Sequence, residues 1–396
     1  MLGTQVGIGI SHHRNPVVAA TEAVHQAKTN GSVQHPDFVL LFSMVGYRQD
    51  LVLAAVHAET GNVPLVGCSG AGIISTSIAD ESNFGLVVML LQSDEICIHH
   101  GVVRDVSVSS HVAGQTIGTD VRSHLADDTA VLFLFADGIA FNFDEFLRGL
   151  GDLSVQGRSL PIIGGAAGDN LAYEKTYQYY DGELLSQGAV WATFSGPVDV
   201  ISAVSHGCVP IGKRLKITKC AGNVIYEVDH KPILDVLKDY LHDDEIHTWD
   251  KAAVNLGLAF AAKQNKVMGS DYYMRCMLAK DMDIGGVILQ TEVKQDDEFW
   301  VSRRDFDKIL VGARTMAASI IAQLGDKTPY FILQVECDGR GKTMLRTQEK
   351  LAVLDVIQST LGHHIPWIGL YAFGEIAPIE QENHIHNLTS IITAVC

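Results

Sequence analysis

Three kinds of side chain in this sequence could do chemistry: a cysteine at a tight turn, histidines beside strand ends, and arginines able to clasp a carboxylate. Cys68-Ser69 follows Gly67 and precedes Gly70. A thiol nucleophile on a sharp turn needs a base within hydrogen-bond reach and an oxyanion hole beside it. The Gly-x-Ser-x-Gly elbow is displaced by one position here and nothing selects a base. A small buried cysteine is therefore the preferred reading, and a thiol-dependent hydrolase using Cys68 the alternative. His206 stands after the apolar stretch 198–204 and before Gly207-Cys208-Val209-Pro210, so its ring could enter a pocket from a strand end. The competing role is a turn histidine bonded to backbone. His384 and His386 alternate around Ile385 and share one face of an extended segment. The pairs His12-His13, His99-His100 and His363-His364 look metal-binding on paper. Neighbours in a strand face opposite ways, so each pair is expected to split rather than hold one ion. Arg275 and Arg340 carry planar guanidinium groups suited to a bidentate carboxylate, with ordinary ion pairing as the competing role. Residues 165–168 lack the Lys-Ser/Thr ending of a phosphate loop, which disfavours nucleotide hydrolysis.

The elements that must position these groups recur three times. Phe38-Val39-Leu40-Leu41-Phe42-Ser43 precedes an expected helix over 49–60 and then Pro64-Leu65-Val66-Gly67. The apolar run 131–136, with Asp137-Gly138 after it, precedes a helix from 143 and then Pro161-Ile162-Ile163-Gly164. The run 330–337, again closed by Asp-Gly, precedes a helix over 348–361 and then Pro366-Trp367-Ile368-Gly369. Strand, helix, strand is the order of a right-handed βαβ crossover and makes the two strands of each unit parallel. Asn15-Pro16 reads as the cap and first turn of another helix, and 306–321 is the clearest amphipathic stretch. The expected fold is α/β: layered mixed sheets with parallel βαβ units flanked by helices, in two packed modules.

Ligands in parallel sheets sit at the carboxyl ends of the strands. Those ends nominate Cys68, Ser69, Asp137, Gly165, Asp169, Arg340, Tyr371 and Glu375 as ligand-binding residues, with Arg275 from a separate strand. The small-residue tails after the three Pro-x-x-Gly segments are expected to wall one hollow. Tight turns would explain the same glycines.

Composition narrows the partners. The 396 residues hold 46 Asp+Glu against 29 Lys+Arg, a formal charge of −17, which argues against nucleic acid and against an anionic membrane surface. With 47% hydrophobic and 19% charged residues, the chain has ample core material for two or three domains at ~150 residues each. No apolar run approaches the ~18 residues of a membrane span, and no basic-then-apolar leader opens the chain. Seven scattered cysteines without a Cys-x-x-Cys fit reduced thiols in the cytoplasm.

At its motifs the chain resembles the FIST sensory proteins. The matching stretches are Val66-Gly67-Cys68-Ser69-Gly70-Ala71-Gly72, Ile163-Gly164-Gly165-Ala166-Ala167-Gly168-Asp169 and Ser205-His206-Gly207-Cys208-Val209-Pro210-Ile211-Gly212. Val228-Asp229-His230-Lys231-Pro232, Tyr273-Met274-Arg275, Tyr371-Ala372-Phe373-Gly374-Glu375 and His386-Asn387-Leu388-Thr389 continue the order. His230-Lys231 stand where the family often has a Gly-rich turn. The resemblance implies an N-terminal FIST module over 1–221, a C-terminal one over 222–396, and a non-enzymatic small-ligand sensor in bacterial signal transduction. With no output segment left over, such a sensor acts through a partner. Stand-alone members include haem-binding nitric-oxide sensors that regulate a histidine kinase. On that resemblance, and on 17 histidines, the expected cofactor is haem b, the expected signal nitric oxide, and the expected partner a histidine kinase, with a homodimer left open. His206 and His386 become the haem-iron candidates, and Arg275 and Arg340 candidates for the propionates. The alternative within sensing is direct recognition of an amino acid or another small metabolite.

Overall fold

In the computed structural model, which describes residues 3–241, 255–261, 272–281 and 285–396, the three recurrences fold as three copies of one unit. The first comprises β1 (Gln5–Ser11), α1 (Pro16–Gly31), β2 (Phe38–Met44), α2 (Gln49–Glu59), β3 (Leu65–Gly70), β4 (Gly72–Ser75), β5 (Ile78–Asp80) and β6 (Leu86–Gln92). The second comprises β7 (Cys97–Val103), α3 (Ser110–His124), β8 (Thr129–Ala136), α4 (Phe143–Leu150), the short hairpin β9 (Ser154–Val155) and β10 (Arg158–Ser159), then β11 (Ile162–Ala166), β12 (Gln178–Tyr180), β13 (Glu183–Leu185) and β14 (Ala189–Ser195).

The third unit opens with β15 (Val200–Ser205) and is then interrupted. The interruption carries β16 (Cys208–Ala221), β17 (Val224–Val228), β18 (Lys231–Pro232), α5 (Ile233–Lys238), β19 (Leu256–Ala261), β20 (Tyr272–Arg275), β21 (Met277–Asp281), β22 (Gly286–Leu289) and β23 (Glu298–Arg304). These strands pair among themselves as a separate antiparallel sheet. Ala221 and Gly222 sit at the turn between β16 and β17, so the strands on both sides of that position belong to this sheet. The third unit resumes with α6 (Phe306–Leu324), β24 (Phe331–Cys337), α7 (Thr347–Leu361), β25 (Trp367–Ala372), β26 (Gly374–Ile379), β27 (Glu382–His386) and β28 (Ser390–Val395).

The pairs β2–β3, β8–β11 and β24–β25 are parallel, as the crossovers require. After each pair the chain leaves its own sheet. The hairpin beginning at β4 joins β25, the one at β12 joins β3, and the one at β26 joins β11. The unit's last strand then returns home, giving the orders β1-β6-β2-β3-β12-β13, β7-β14-β8-β11-β26-β27 and β15-β28-β24-β25-β4-β5. Three sheets thus exchange hairpins in a closed cycle. Their inner faces share one apolar core, where Phe42 and Cys68 meet Phe135, Ile163, Val335 and Leu370. Helices α1 and α2, α3 and α4, and α6 and α7 cover the outer faces through separate clusters. Asn15 caps α1 by accepting from the N–H groups of Val17 and Val18.

The Pro-x-x-Gly motif has a steric cause. A Cβ at Gly67 would lie 1.9 Å from the Leu41 carbonyl oxygen, one at Gly164 1.9 Å from that of Leu134, and one at Gly369 2.3 Å from that of Gln334. Only glycine lets the paired strand come that close. Four residues beyond each glycine an amide donates, and two residues beyond a carbonyl accepts. Ala71 N–H bonds Tyr371 O at 2.9 Å, Gly168 N–H bonds Ser69 O at 2.9 Å, and Phe373 N–H bonds Ala166 O at 3.0 Å. Each bond joins a different pair of tails, and together they close a ring. The tails do meet, as expected, but they fill the space rather than wall a hollow: a Cβ on Gly168 would sit 2.6 Å from Ala71 N. Small residues stand here so that three backbones can bond one another. No helix among the described residues is long and apolar enough to cross a membrane.

Candidate functional site

The second and third units both bury carboxylates at their strand ends, but those of the third, Asp338 and Glu375, keep an oxygen without a partner among the described residues, and the inserted sheet packs against that corner. The inserted segment is also tied to α4 of the second unit, by Arg148 to both carboxylate oxygens of Glu292 at 3.0 and 3.1 Å and by Glu292 N–H to Asp144 at 2.9 Å. Gln290 donates to Phe373 O, and Asn387 accepts from Cys276 N–H. A small apolar cluster also spans the contact, where Cys208, Ala259 and Met274 of the inserted sheet meet Cys337 and Leu388 of the third unit.

At the centre is Asp338, the first residue after β24. Its Oδ1 accepts from the Cys337 thiol at 3.7 Å, while its Oδ2 is buried without a hydrogen-bond partner among the described residues. Burial pushes its pKa up to about 7; the Glu81 charge adds to this, and the Gly339 N–H, the Cys337 thiol and Arg304 oppose it. Glu375 on β26 uses Oε2 to accept from the Thr389 amide and hydroxyl, leaving Oε1 buried and without a partner among the described residues. Burial raises its pKa well above the carboxylate range. Arg304, at the end of β23, donates to the carbonyl oxygen of Gly339, beside Asp338. Its pKa is lowered by burial, and no carboxylate pairs with it among the described residues. Tyr173, though 58% exposed, stacks on Phe373 with centroids 4.7 Å apart, and its phenol pKa is raised by desolvation at the ring and by Asp338, Cys276, Cys337 and Asp169. Burial holds the surrounding thiols protonated: Cys276 rises to about 12, Cys208 to about 11, and Cys337 well above its ordinary value.

The nominated residues divide. Glu375 and Arg340 reach this corner. Arg340 is 1% exposed, bonds Glu336 through Nε and the His206 carbonyl through Nη1, and has no partner for Nη2 among the described residues. Tyr371 presents its ring to Lys350 on the helical side of the third sheet, Nζ 5.7 Å from the centroid. Arg275 stacks on Tyr273 at 4.6 Å and donates to the Met274 and Ile385 carbonyls, which occupies it structurally. Cys68 lies in the shared apolar core, its thiol raised by burial and out of reach of solvent. Ser69 donates to Gly168 O and accepts from Tyr177 N–H, and Gly165 packs against Val335, so both belong to the ring. Asp137 caps the Ile139 and Ala140 amides and accepts from Thr176, and Asp169 accepts from the amides of Tyr173, Glu174 and Lys175. Asp169 therefore serves the corner by shaping the turn that carries Tyr173. Asp338, Arg304 and Tyr173 went unnominated. The only local signal was the Asp-Gly after β24, echoing the one after β8.

The two haem-iron candidates do not fit that role. His206 Nδ1 accepts from Cys208 N–H at 3.0 Å, so in the neutral ring Nε2 carries the proton. A ligating imidazole has the reverse arrangement, with one N–H given to a carbonyl and the other nitrogen open to the metal. His206 is kept neutral, its pKa lowered to about 4 by burial and Arg340. His386 bonds Ala377 O through Nε2, lies 3% exposed, and has its pKa lowered to about 3 by burial, which leaves no room for a macrocycle. His384 and His386 do share a face, with ring centroids 6.2 Å apart. Elsewhere, a cavity of about 280 Å³ between β1 and the β4–β5 hairpin is lined by aliphatic side chains, Gln26, Asn30, His363 and His364.

A pH dependence follows from Asp338. Its folded pKa stands above the ordinary carboxyl value, so the folded chain binds more protons between about pH 4 and 7 and loses stability as pH rises through that window. Glu375 acts in the same direction. Asp338→Asn is expected to flatten the slope by roughly 4 kcal/mol at most across this window. Urea midpoints of both proteins from pH 4 to 8 measure the difference, and parallel curves would place Asp338 in contact with water.

An uncharacterized protein of Mycobacterium tuberculosis is 24% identical over 393 residues, covering 98% of each chain. Another, of Mycobacterium bovis, is 24% identical over 394 residues, covering 98% of this chain and 97% of its own. One from Methanocaldococcus jannaschii is 25% identical over 244 residues, 57% of this chain and 45% of its own. Among solved structures, a cyanuric acid hydrolase from A. caulinodans aligns over 99% of both chains at a TM-score of 0.40 and 8% identity, too slight a likeness to carry function. The FIST N domain model matches residues 37–231 and the FIST C domain model residues 234–378. Two module models laid end to end over most of its length place this chain in the FIST family.

Proposed function

We propose that the chain is a small-ligand sensor whose ligand carries both a carboxylate and an ammonium group, as an amino acid does. FIST modules suggest small-ligand sensing and signalling, and the corner between the inserted sheet and the third sheet supplies the chemistry. The observation that carries the reading is Arg304, a half-buried guanidinium with no carboxylate partner among the described residues, beside Asp338 with its open Oδ2. A half-buried cation without a paired carboxylate still carries a desolvation cost, and a ligand carboxylate would relieve it. An ammonium group would in turn favour the ionised form of Asp338. Such a ligand would touch the inserted sheet through Arg304 and the three-sheet body through Asp338 and Glu375. Binding would then favour whichever relative placement brings all three together, which a signal requires. Thiols held protonated support binding over catalysis at this corner.

The test is thermal unfolding of the purified chain with amino acids, their decarboxylated and deaminated counterparts, and haem. A zwitterion at a hundred times its Kd is expected to stabilise the chain by about 2.7 kcal/mol, with either half-ligand far weaker. No stabilisation by any zwitterion would overturn the reading. A strong Soret band on adding haem, shifting with nitric oxide, would instead favour haem-based sensing with a histidine kinase as output.

A further inference from the structure

We propose that His99, Asp120 and His124 form a binding site for a zinc-type divalent cation on the second unit, remote from the Arg304 corner. The adjacent pair His99-His100 splits as strand geometry requires: His100 turns to Asp181 at 3.1 Å, and His99 turns to α3. On α3, Asp120 and His124 are one turn apart and share a face. His99 Nε2 lies 3.6 Å from Asp120 Oδ1, and His124 Nδ1 lies 3.4 Å from the same oxygen. Ligand atoms of all three residues fall within 4.8 Å of one another. Zinc at its usual bond lengths spaces tetrahedral ligand atoms about 3.3–3.4 Å apart, so the His99–Asp120 separation is close to an edge of that tetrahedron, and His124 stands within a ring rotation of completing it.

An independent observation points to a missing partner. His99 Nε2 is buried and makes no hydrogen bond among the described residues. Its ring is packed edge-on against Trp191 at 5.1 Å, which fixes its aim. The rings of His99 and His124 stack at 3.6 Å with 26° between planes, and His124 Nδ1 also bonds the Asp120 carbonyl. Ion capture requires the His124 ring to turn about its Cβ–Cγ bond, and that side chain is half exposed. Three protein ligands leave a fourth position for water. The bound ion would pin the last turn of α3 to β7.

The experiment is titration of the chelator-stripped full chain with Co²⁺ and then Zn²⁺. One equivalent of Co²⁺ is expected to give the visible bands of a tetrahedral site and to be displaced by Zn²⁺. His99→Ala and His124→Ala should each weaken Zn²⁺ binding at least roughly tenfold, while His13→Ala leaves it unchanged. Because His124 and Asp120 are exposed, far-UV circular dichroism of His124→Ala and Asp120→Asn without metal should match the parent. Zn²⁺ binding that survives both histidine substitutions, or a parent chain without tetrahedral cobalt bands, overturns the proposal.

Discussion

Gly164→Val is expected to leave no cooperatively folded protein. A Cβ there would lie 1.9 Å from the Leu134 carbonyl oxygen and 2.8 Å from its carbon, and both are backbone atoms that cannot rotate away. Relief requires moving β11 from β8, and β11 ends in Ala166, whose carbonyl accepts the ring bond from Phe373. One substitution therefore opens a parallel pair and unlocks the junction of three sheets. Overpacking a core costs typically ~1–3 kcal/mol when side chains can adjust, and more when backbone must shift. Domains hold only about 5–15 kcal/mol in reserve. Gly182→Ala is the control, since its Cβ would meet only the His57 ring at 3.2 Å and should change stability by less than ~1 kcal/mol. Thermal unfolding followed by circular dichroism measures both. A parent-like melt for Gly164→Val would mean that the strands have slack and that the ring does not hold the sheets.

The three βαβ units were legible because their signals are local. Continuous apolar runs mark strands buried on both faces, helical periodicity marks the cover, and proline and glycine mark the second strand. The hairpin exchange was not legible. β4, β12 and β26 are three to six residues long and pair with strands of other units, so no local pattern names their partners. The glycines were seen, but their purpose was misread: a run that admits a ligand and a run that admits a neighbouring backbone have the same composition. The two Asp-Gly pairs make the same point at the site. Asp137 spends its carboxylate on turn amides and Thr176, whereas Asp338 faces the inserted sheet with one oxygen open. What packs opposite separates them. Arg303 and Arg304 are neighbours on β23, and only the tertiary contact tells that the first reaches the Tyr240 carbonyl and the second the corner beside Asp338.

Arg304→Met should move two quantities in opposite directions. Removing a half-buried guanidinium that lacks a carboxylate partner among the described residues lifts part of a desolvation cost, so the ligand-free chain is expected to hold or slightly gain stability, by up to ~1 kcal/mol. The same change removes the anchor for a ligand carboxylate. Losing one side of a buried, hydrogen-bonded charge pair costs ~2–5 kcal/mol of binding, so affinity for the stabilising zwitterion should fall roughly 100-fold. A merely structural arginine would lower both together. The other end of the ligand leaves its own mark. With its pKa near 7, Asp338 is about half protonated at neutral pH, and an ammonium group docking on Oδ2 drives that proton off. Calorimetry in two buffers of different ionisation enthalpy should then show release of about half a proton at pH 7, more at pH 6, and none for Asp338→Asn. Unchanged affinity in Arg304→Met would remove the guanidinium as carboxylate anchor. Proton uptake in place of release would turn the ligand around, because only a cation beside Asp338 favours the ionised carboxylate.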